Sequence, residues 1–182
     1  CALPICALRL DANNAISPLV LRDLNGNSYI DAADLLDDPL WSDGLDTDNN
    51  GFEDDLVGWD FQENDNQPFD EHGHGTHVAG ILGATGNNGL GVVGVSWTTT
   101  ILPLRFLDEN NAGDLSDAIE AINYQTLLRT SETNPTNIRV SNNSWGVAHA
   151  LSQNLFDAVA ATTEADILFV AAAGDRKSTR LN

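Results

Sequence analysis

No methionine occurs among the 182 residues, and there is a single lysine, Lys177. A complete open reading frame begins with methionine, so the chain reads as a processed protein or a gene fragment. The composition of its far end favours the fragment. Lys and Arg total 8 against 27 Asp and Glu, a formal net charge of -19. A surface this acidic repels phosphate, which argues against nucleic acid or an anionic membrane as partner. It suits divalent cations, and a salt-rich habitat also explains it. No run of 18 apolar residues is present, so no membrane span is expected. Residues 1–10 are apolar but lack a charged start and a small-residue cleavage site, so no signal peptide is read there. The only cysteines, Cys1 and Cys6, would close a very short loop and supply no disulfide framework.

What is present suits a globular protein. Hydrophobic content is 42%, and the length is enough for one real core. Residues 1–22 stay unassigned. Residues 175–182, Asp175-Arg176-Lys177-Ser178-Thr179-Arg180-Leu181-Asn182, break the composition by holding three of the eight basic residues. The codons GAT CGG AAG AGC ACA CGT CTG AAC encode this octapeptide and spell a widely used sequencing adapter. The expectation is that the coding read runs into adapter after Gly174, against the plainer reading of a basic tail.

Two acidic runs precede the middle of the chain, within residues 23–57. In the first, Asp23, Asn25, Asn27, Asp31 and Asp34 stand at loop positions 1, 3, 5, 9 and 12, with Tyr29 at 7. A hard cation takes six to eight oxygens, and this spacing wraps the chain about one ion. In the second, Asp46, Asp48, Asn50, Phe52 and Asp54 stand at 1, 3, 5, 7 and 9. Position 12 there is Val57, so the closing carboxylate is missing unless Asp55 serves. Both runs resemble the calcium loops of EF-hands and, more closely, of dockerin repeats. The first departs at position 6, where the sharp turn favours glycine and Ser28 stands instead. Solvated acidic turns are the plainer alternative for both.

Beyond residue 58 the pattern becomes regular. The spacing predicts a small-residue helix over 74–84, with His74 at the first turn of a buried helix and His77 packed within it. An apolar run over 100–107 has strand length. A helix over 116–128 carries apolar residues at 118, 119, 122, 127 and 128, with Asp114 or Ser116 as cap. A strand follows over 138–143, then a helix over 151–162 with apolar residues at 151, 155, 156 and 159. The continuous apolar run 167–173 suits a central parallel strand. Alternating strands and helices predict an α/β fold, a doubly wound parallel sheet with helices on both faces, incomplete at both ends. Ligands of such sheets sit at the carboxyl ends of the strands.

The block Gly73-His74-Gly75-Thr76-His77-Val78-Ala79-Gly80 resembles, almost letter for letter, the histidine motif of the subtilases, the subtilisin-like serine proteases. A histidine at a helix start beside glycines is a candidate general base, and the resemblance implies that His74 is the catalytic one. It extends over 58–174, read as part of a catalytic domain with 23–57 as an insertion. By the same resemblance, Ser144, Trp145 and Gly146 pair with substrate backbone and wall the primary specificity pocket. Ala172, Ala173 and Gly174 form the opposite wall. The side chain of Asn88 and the carbonyls of Gly86, Leu90 and Val92 would bind the family's tight calcium. Asp60, Asp65 and the Gln67 carbonyl would bind a further calcium. Trp145 departs from the leucine the family often carries. Asp175 stands where the family has an asparagine that donates to the oxyanion, and losing such a donor costs about 100- to 1,000-fold in rate.

The triad needs a nucleophile, a base and a carboxylate. No Asp-Thr-Gly or Asp-Ser-Gly occurs in the chain, and no Gly-Thr-Ser-Met-Ala follows. The expectation is a serine endopeptidase acting on polypeptides, secreted by the family resemblance, here a fragment inactive by itself. The alternative is a non-catalytic calcium-dependent binding or docking module built on the two acidic loops. His72, His74 and His77 form a His-x-His-x-x-His run that can bind zinc, but no fourth ligand has the right setting. His149 reads as a surface residue. Oligomeric state is not legible.

Overall fold

The computed structural model describes residues 22–28, 31–146 and 152–174. The readings that concern Cys1, Cys6, Tyr29, His149 and the 175–182 tail lie outside the described residues. The chain divides into two compact units, Cys1–Asp114 and Leu115–Asn182, a boundary that falls inside the stretch 58–174 read as one domain.

The first unit holds α1 (Ala32–Asp37), β1 (Trp59–Asp60), α2 (His74–Gly83) and β2 (Leu104–Arg105). Helix α1 starts where Asp31 caps it. The Asp31 side chain accepts from the Ala33 N–H, and Asp34 reaches back to the Asp31 N–H to complete a capping box. Strands β1 and β2 run parallel, with Trp59 opposite Leu104 and Asp60 opposite Arg105. Gly58 makes this approach possible. It takes φ 130, and a Cβ there would lie 2.0 Å from the Pro103 carbonyl oxygen. Phe52 packs edge-on against Trp59 at 5.0 Å and Phe61 at 6.0 Å, an aromatic cluster that seats the second acidic run against β1. The strand expected over 100–107 shrinks to Leu104–Arg105. An apolar run shows that side chains can be buried, but not how many residues find a ladder partner.

In the second unit, α3 (Leu115–Thr130), β3 (Val140–Asn143), α4 (Gln153–Glu164) and β4 (Leu168–Ala171) follow one another. Strands β3 and β4 pair in parallel over their whole length, Val140 opposite Leu168 through Asn143 opposite Ala171. Helix α4 supplies the crossover that parallel neighbours need. The buried residues of α3 are Ala118, Ala121, Ile122, Tyr124 and Gln125, spaced along one helical face. Leu127 is exposed instead, and Ser116 lies inside the helix with its hydroxyl donating to Asp117. In α4 the inner face is Leu155, Ala158 and Thr162, while Phe156 points outward. Ser152 caps α4 by accepting from the Leu155 N–H. Ile122, Leu155 and Ala158 form the core, with Ile119, Val159, Phe169 and Trp145 packed on it.

The α/β class is observed, with every named strand in a parallel pair. The described strands form two two-stranded sheets rather than one continuous sheet. The apolar run 167–173 does not sit buried on both faces. Leu168 and Val170 of β4 are exposed, and β3 is the strand paired with it among the described residues.

Candidate active site

His74 is the first residue of α2. The turn into the helix is made by Gly73 at φ 92, a left-handed conformation that glycine adopts without steric cost. Gly73 has no side chain to cap the helix, and the capping comes from Asp70 instead. One Asp70 oxygen accepts from the N–H groups of His72 and Gly73, at 3.2 and 2.8 Å. The other accepts from Thr76 N–H at 2.6 Å. Thr76 is in the first turn of α2, whose N–H groups lack helical partners, and a negative charge there is favoured. Burial pushes the Asp70 carboxyl up, but the Thr76 N–H and hydroxyl, then Gly73 and His72, hold it below the ordinary carboxylate value. The sequence reading missed this residue. The signal available was an acidic side chain just before a glycine-started helix.

The expected burial of α2 is not observed. Gly80 is its only buried residue, His74 is half-buried, and His77, Ile81 and Leu82 are exposed. An added Cβ at Gly73 would meet nothing within 4 Å, so space beside the histidine turn is open. Among the described residues no carboxylate makes a hydrogen bond to the His74 ring.

Asp60 is fully buried, and its partner is a cation of the protein itself. Arg105 Nη1 donates to Asp60 Oδ2 at 2.5 Å, Nη2 to Glu71 at 2.8 Å, and Nε to the Leu107 carbonyl at 3.0 Å. Burial opposes the Arg105 charge, yet Asp60, Glu71 and Glu63 together hold its pKa above the ordinary value. Asp60 Oδ1 accepts from Gln62 and Glu63 N–H groups. Asp65 joins Asp60 through a backbone bridge, and its carboxylate accepts from Gln67 N–H. The Gln67 carbonyl accepts from Phe69 N–H. The three expected calcium ligands of this loop are therefore neighbours, with both Asp60 oxygens already engaged. Arg105 ties β2 to Glu71, three residues before His74.

The two acidic runs fold alike. Asp23 accepts from the N–H groups of Gly26, Asn27 and Ser28. Asp46 accepts from those of Asn50 and Gly51. Position 6 has positive φ in both, 71 at Ser28 and 96 at Gly51, so the serine adopts the turn that glycine makes in the other. At positions 1, 3 and 5 the donors are the hard oxygens calcium takes. Asp34 is turned inward, and its oxygens accept from the N–H groups of Leu24, Asn25 and Asp31. Asp54 faces Ser42, Asp43 and Gly44. Asp55, not Asp54, is the nearer of two carboxylates that accept from Asn50 Nδ2, at 2.7 Å. Phe52 donates its N–H to Asn50, and Asp48 accepts from Asn50 Nδ2. Among the described residues no group of three or more His, Cys, Asp and Glu is gathered as for a metal ion.

After α2 the chain loops around a concavity of about 230 Å³ lined by residues 85–93, which include Gly86, Asn88, Leu90 and Val92. Asn87, Gly89 and Gly91 take positive φ, and Asn88 Oδ1 accepts from Leu90 N–H at 3.0 Å. The loop closes back on the helix through Gly94 N–H to Ala84, Val95 to Ile81 and Ser96 to Leu82. The oxygens on offer are neutral and hard, again a calcium-compatible chemistry.

In the second unit the two expected cleft walls leave adjacent strand ends. Ser144, Trp145 and Gly146 follow β3, and Ala172, Ala173 and Gly174 follow β4. The Ala172 N–H donates to the Asn143 carbonyl at 3.0 Å, which holds the walls side by side. Asn142 Nδ2 donates to Ser144 Oγ, and Trp145 Nε1 to Asn143 Oδ1 at 3.0 Å. Carboxyl ends of parallel strands are where α/β sheets place ligands.

Comparison with known proteins matches residues 27–182 to the model of the subtilase family. Subtilisin-like protease 1 of Plasmodium berghei (strain Anka) is 39% identical over 102 residues, which cover 56% of this chain and 16% of that protein. The thermophilic serine proteinase of Bacillus sp. (strain AK1) is 49% identical over 69 residues, 38% of this chain and 17% of that one. The crystal structure of a cold adapted subtilisin-like serine proteinase matches with a TM-score of 0.54 and 30% identity, covering 65% of this chain and 38% of its own. The chain thus spans a minor part of the length of the relatives it matches.

Proposed function

The chain belongs to the subtilase family, and from that premise we propose that it is part of a serine endopeptidase that hydrolyses peptide bonds in polypeptides. His74 acts as general base, taking the proton of a serine hydroxyl as it attacks the scissile carbonyl and returning it to the leaving amine. A carboxylate on the far side of the ring holds the tautomer. The observation that carries this reading is the construction at the start of α2. Gly73 in a left-handed turn and Asp70 on the first-turn amides set His74 half-exposed at a helix N-terminus. The walls at 144–146 and 172–174 accept the substrate chain, and their small residues admit a side chain. Family membership over residues 27–182 supports this reading over a docking module.

Calcium is the proposed cofactor, held by the loops at 23–34, 46–55 and 85–93, where it stiffens segments around His74; the 60–67 turn is not among them, because Arg105 already occupies Asp60. Asp23, Asn25, Asn27, Asp46, Asp48 and Asn50 supply side-chain oxygens, and Asn88 with its neighbouring carbonyls supplies neutral ones. The protease acts outside the cell. The 182 residues contain no Gly-Thr-Ser-Met-Ala block and no Asp-Thr-Gly or Asp-Ser-Gly, so the chain alone is inactive. The test is a quenched fluorescent peptide digest. The purified chain releases no fluorophore. The product of the gene extended on both sides does, and loses activity on His74→Ala. Hydrolysis by residues 1–182 that depends on His74 sinks the inactivity, and an active extended product indifferent to His74→Ala sinks the catalytic assignment.

A further inference from the structure

Three Asn-Gly pairs occur in the chain, Asn25-Gly26, Asn50-Gly51 and Asn88-Gly89. Asn-Gly is the dipeptide most open to spontaneous deamidation, because glycine's backbone nitrogen reaches the asparagine side chain without a Cβ in the way. The structure treats the three pairs alike in one respect. Each asparagine Oδ1 accepts an N–H from two residues on: Asn27 to Asn25 at 3.0 Å, Phe52 to Asn50 at 2.8 Å, and Leu90 to Asn88 at 3.0 Å. That hydrogen bond draws electrons from the amide carbon and makes it a better target in all three.

The pairs differ at the attacking nitrogen. Gly26 N–H donates to Asp23 Oδ1 at 2.7 Å and Gly51 N–H to Asp46 Oδ2 at 2.8 Å. The reaction needs that nitrogen deprotonated, and a hydrogen-bonded carboxylate both occupies the proton and repels the resulting anion. Among the described residues no oxygen accepts from the Gly89 N–H. The leaving amide differs too. Asn25 Nδ2 donates to Asp31 and Asn50 Nδ2 to Asp48 and Asp55, while among the described residues no side chain accepts from Asn88 Nδ2. Asn88, Gly89 and Leu90 are all exposed.

We propose that Asn88 is a site of spontaneous self-modification, converting to aspartate and isoaspartate while Asn25 and Asn50 are protected by the acidic loops that hold them. The Gly89 nitrogen attacks Cγ of Asn88, and the new C–N bond closes a five-membered succinimide. The Cγ–Nδ2 bond breaks, and the nitrogen leaves as ammonia with the proton given up by Gly89. Solvent water then opens the ring. Attack at Cγ yields aspartate, and attack at the main-chain carbonyl yields isoaspartate with the backbone rerouted through Cγ. Either product places a carboxylate beside the concavity of about 230 Å³ lined by residues 85–93. The isoaspartate also lengthens the loop backbone by one carbon.

The test is incubation of the purified chain at mildly alkaline pH, with timed peptide mapping by mass spectrometry and isoaspartate-specific methylation. Conversion at 88 is expected about 10- to 150-fold faster than at 25 or 50, the rate equivalent of the about 1.5–3 kcal/mol of a hydrogen bond to a charged acceptor. In concentrated urea the three rates converge. In Asp46→Ala, Asn50 accelerates toward the rate at 88 while 25 does not. Conversion at 25 or 50 as fast as at 88 in the folded chain overturns the proposal. So does an Asn50 rate unmoved by Asp46→Ala in a chain that circular dichroism shows folded.

Discussion

Replacing Arg105 by methionine removes the cation that Asp60 faces and keeps most of the aliphatic stem. Asp60 is 0% exposed, and the Arg105 side chain is 11% exposed. Three donated hydrogen bonds are lost, to Asp60, Glu71 and the Leu107 carbonyl. The Glu71 bond counts least, because that side chain is 55% exposed and exposed pairs contribute about 0–1 kcal/mol. The Asp60 interaction dominates. Stripping one partner from a buried pair leaves an uncompensated charge and costs about 3–5 kcal/mol, a large share of the about 5–15 kcal/mol of a typical domain. Adding Asp60→Asn removes that charge but leaves an oxygen for the Gln62 and Glu63 N–H groups. The double variant is therefore expected within about 1–2 kcal/mol of the parent. Urea titration followed by tryptophan fluorescence reads both, since Trp59 adjoins Asp60 and is 7% exposed. An Arg105→Met cost under about 1 kcal/mol refutes the reasoning, as does a double variant no more stable than the single.

Asp70→Ala strips the cap from α2 and is expected to cost about 0.5–1 kcal/mol, the low end of N-terminal capping effects because the carboxylate is exposed and screened; hydrogen exchange at Thr76 and Gly73 amides accelerates with it. Unchanged protection at Thr76 removes Asp70 from that role. Acid weakens the fold with a definite sign. Asp34, held down by the Asp31 N–H, Asp38 by Arg22, Asp46 by the Gly51 N–H and Asp108 by the Ala112 N–H all have lowered folded pKa values, as does Asp70. Their contribution is complete above the unfolded aspartate value of about 3.9 and is lost as pH falls through the lower folded values. A melting temperature that rises between pH 5 and pH 2 contradicts this. Calcium at a hundred times its dissociation constant is expected to stabilise the chain by about 2.7 kcal/mol, and Asp46→Ala reduces the gain. No thermal shift in millimolar calcium removes the cation from these loops.

Much of the helical layout is legible in the residue order. The small-residue run after His74 gives α2 within one residue at its end, and the periodic runs give α3 and α4. These signals are local, since each residue's partners lie three or four positions away. Strands were legible as runs but not in length, and the faces of α3 and α4 were misjudged at Leu127 and Phe156. An apolar residue at a helical spacing names a stripe only once the neighbouring element is known. Asp70 escaped notice because it caps α2 from outside the helix, over the Gly73 turn.

His74 as the candidate base, the α/β class and the family over residues 27–182 follow from residue order, because motif chemistry and periodicity are written in consecutive positions. Tertiary structure alone decided what the acidic side chains do. Asp60 reads from the sequence as one more cation ligand, and the fold places Arg105, 45 positions away, against it. Asp54 and Asp55 are chemically equivalent neighbours, yet one holds the 42–44 turn and the other meets Asn50. The three Asn-Gly pairs are identical as letters and differ in what accepts from the glycine nitrogen and from the asparagine amide. A carboxylate's charge is a property of its residue, but its partner is set by which distant backbone or side chain the fold brings within hydrogen-bond reach.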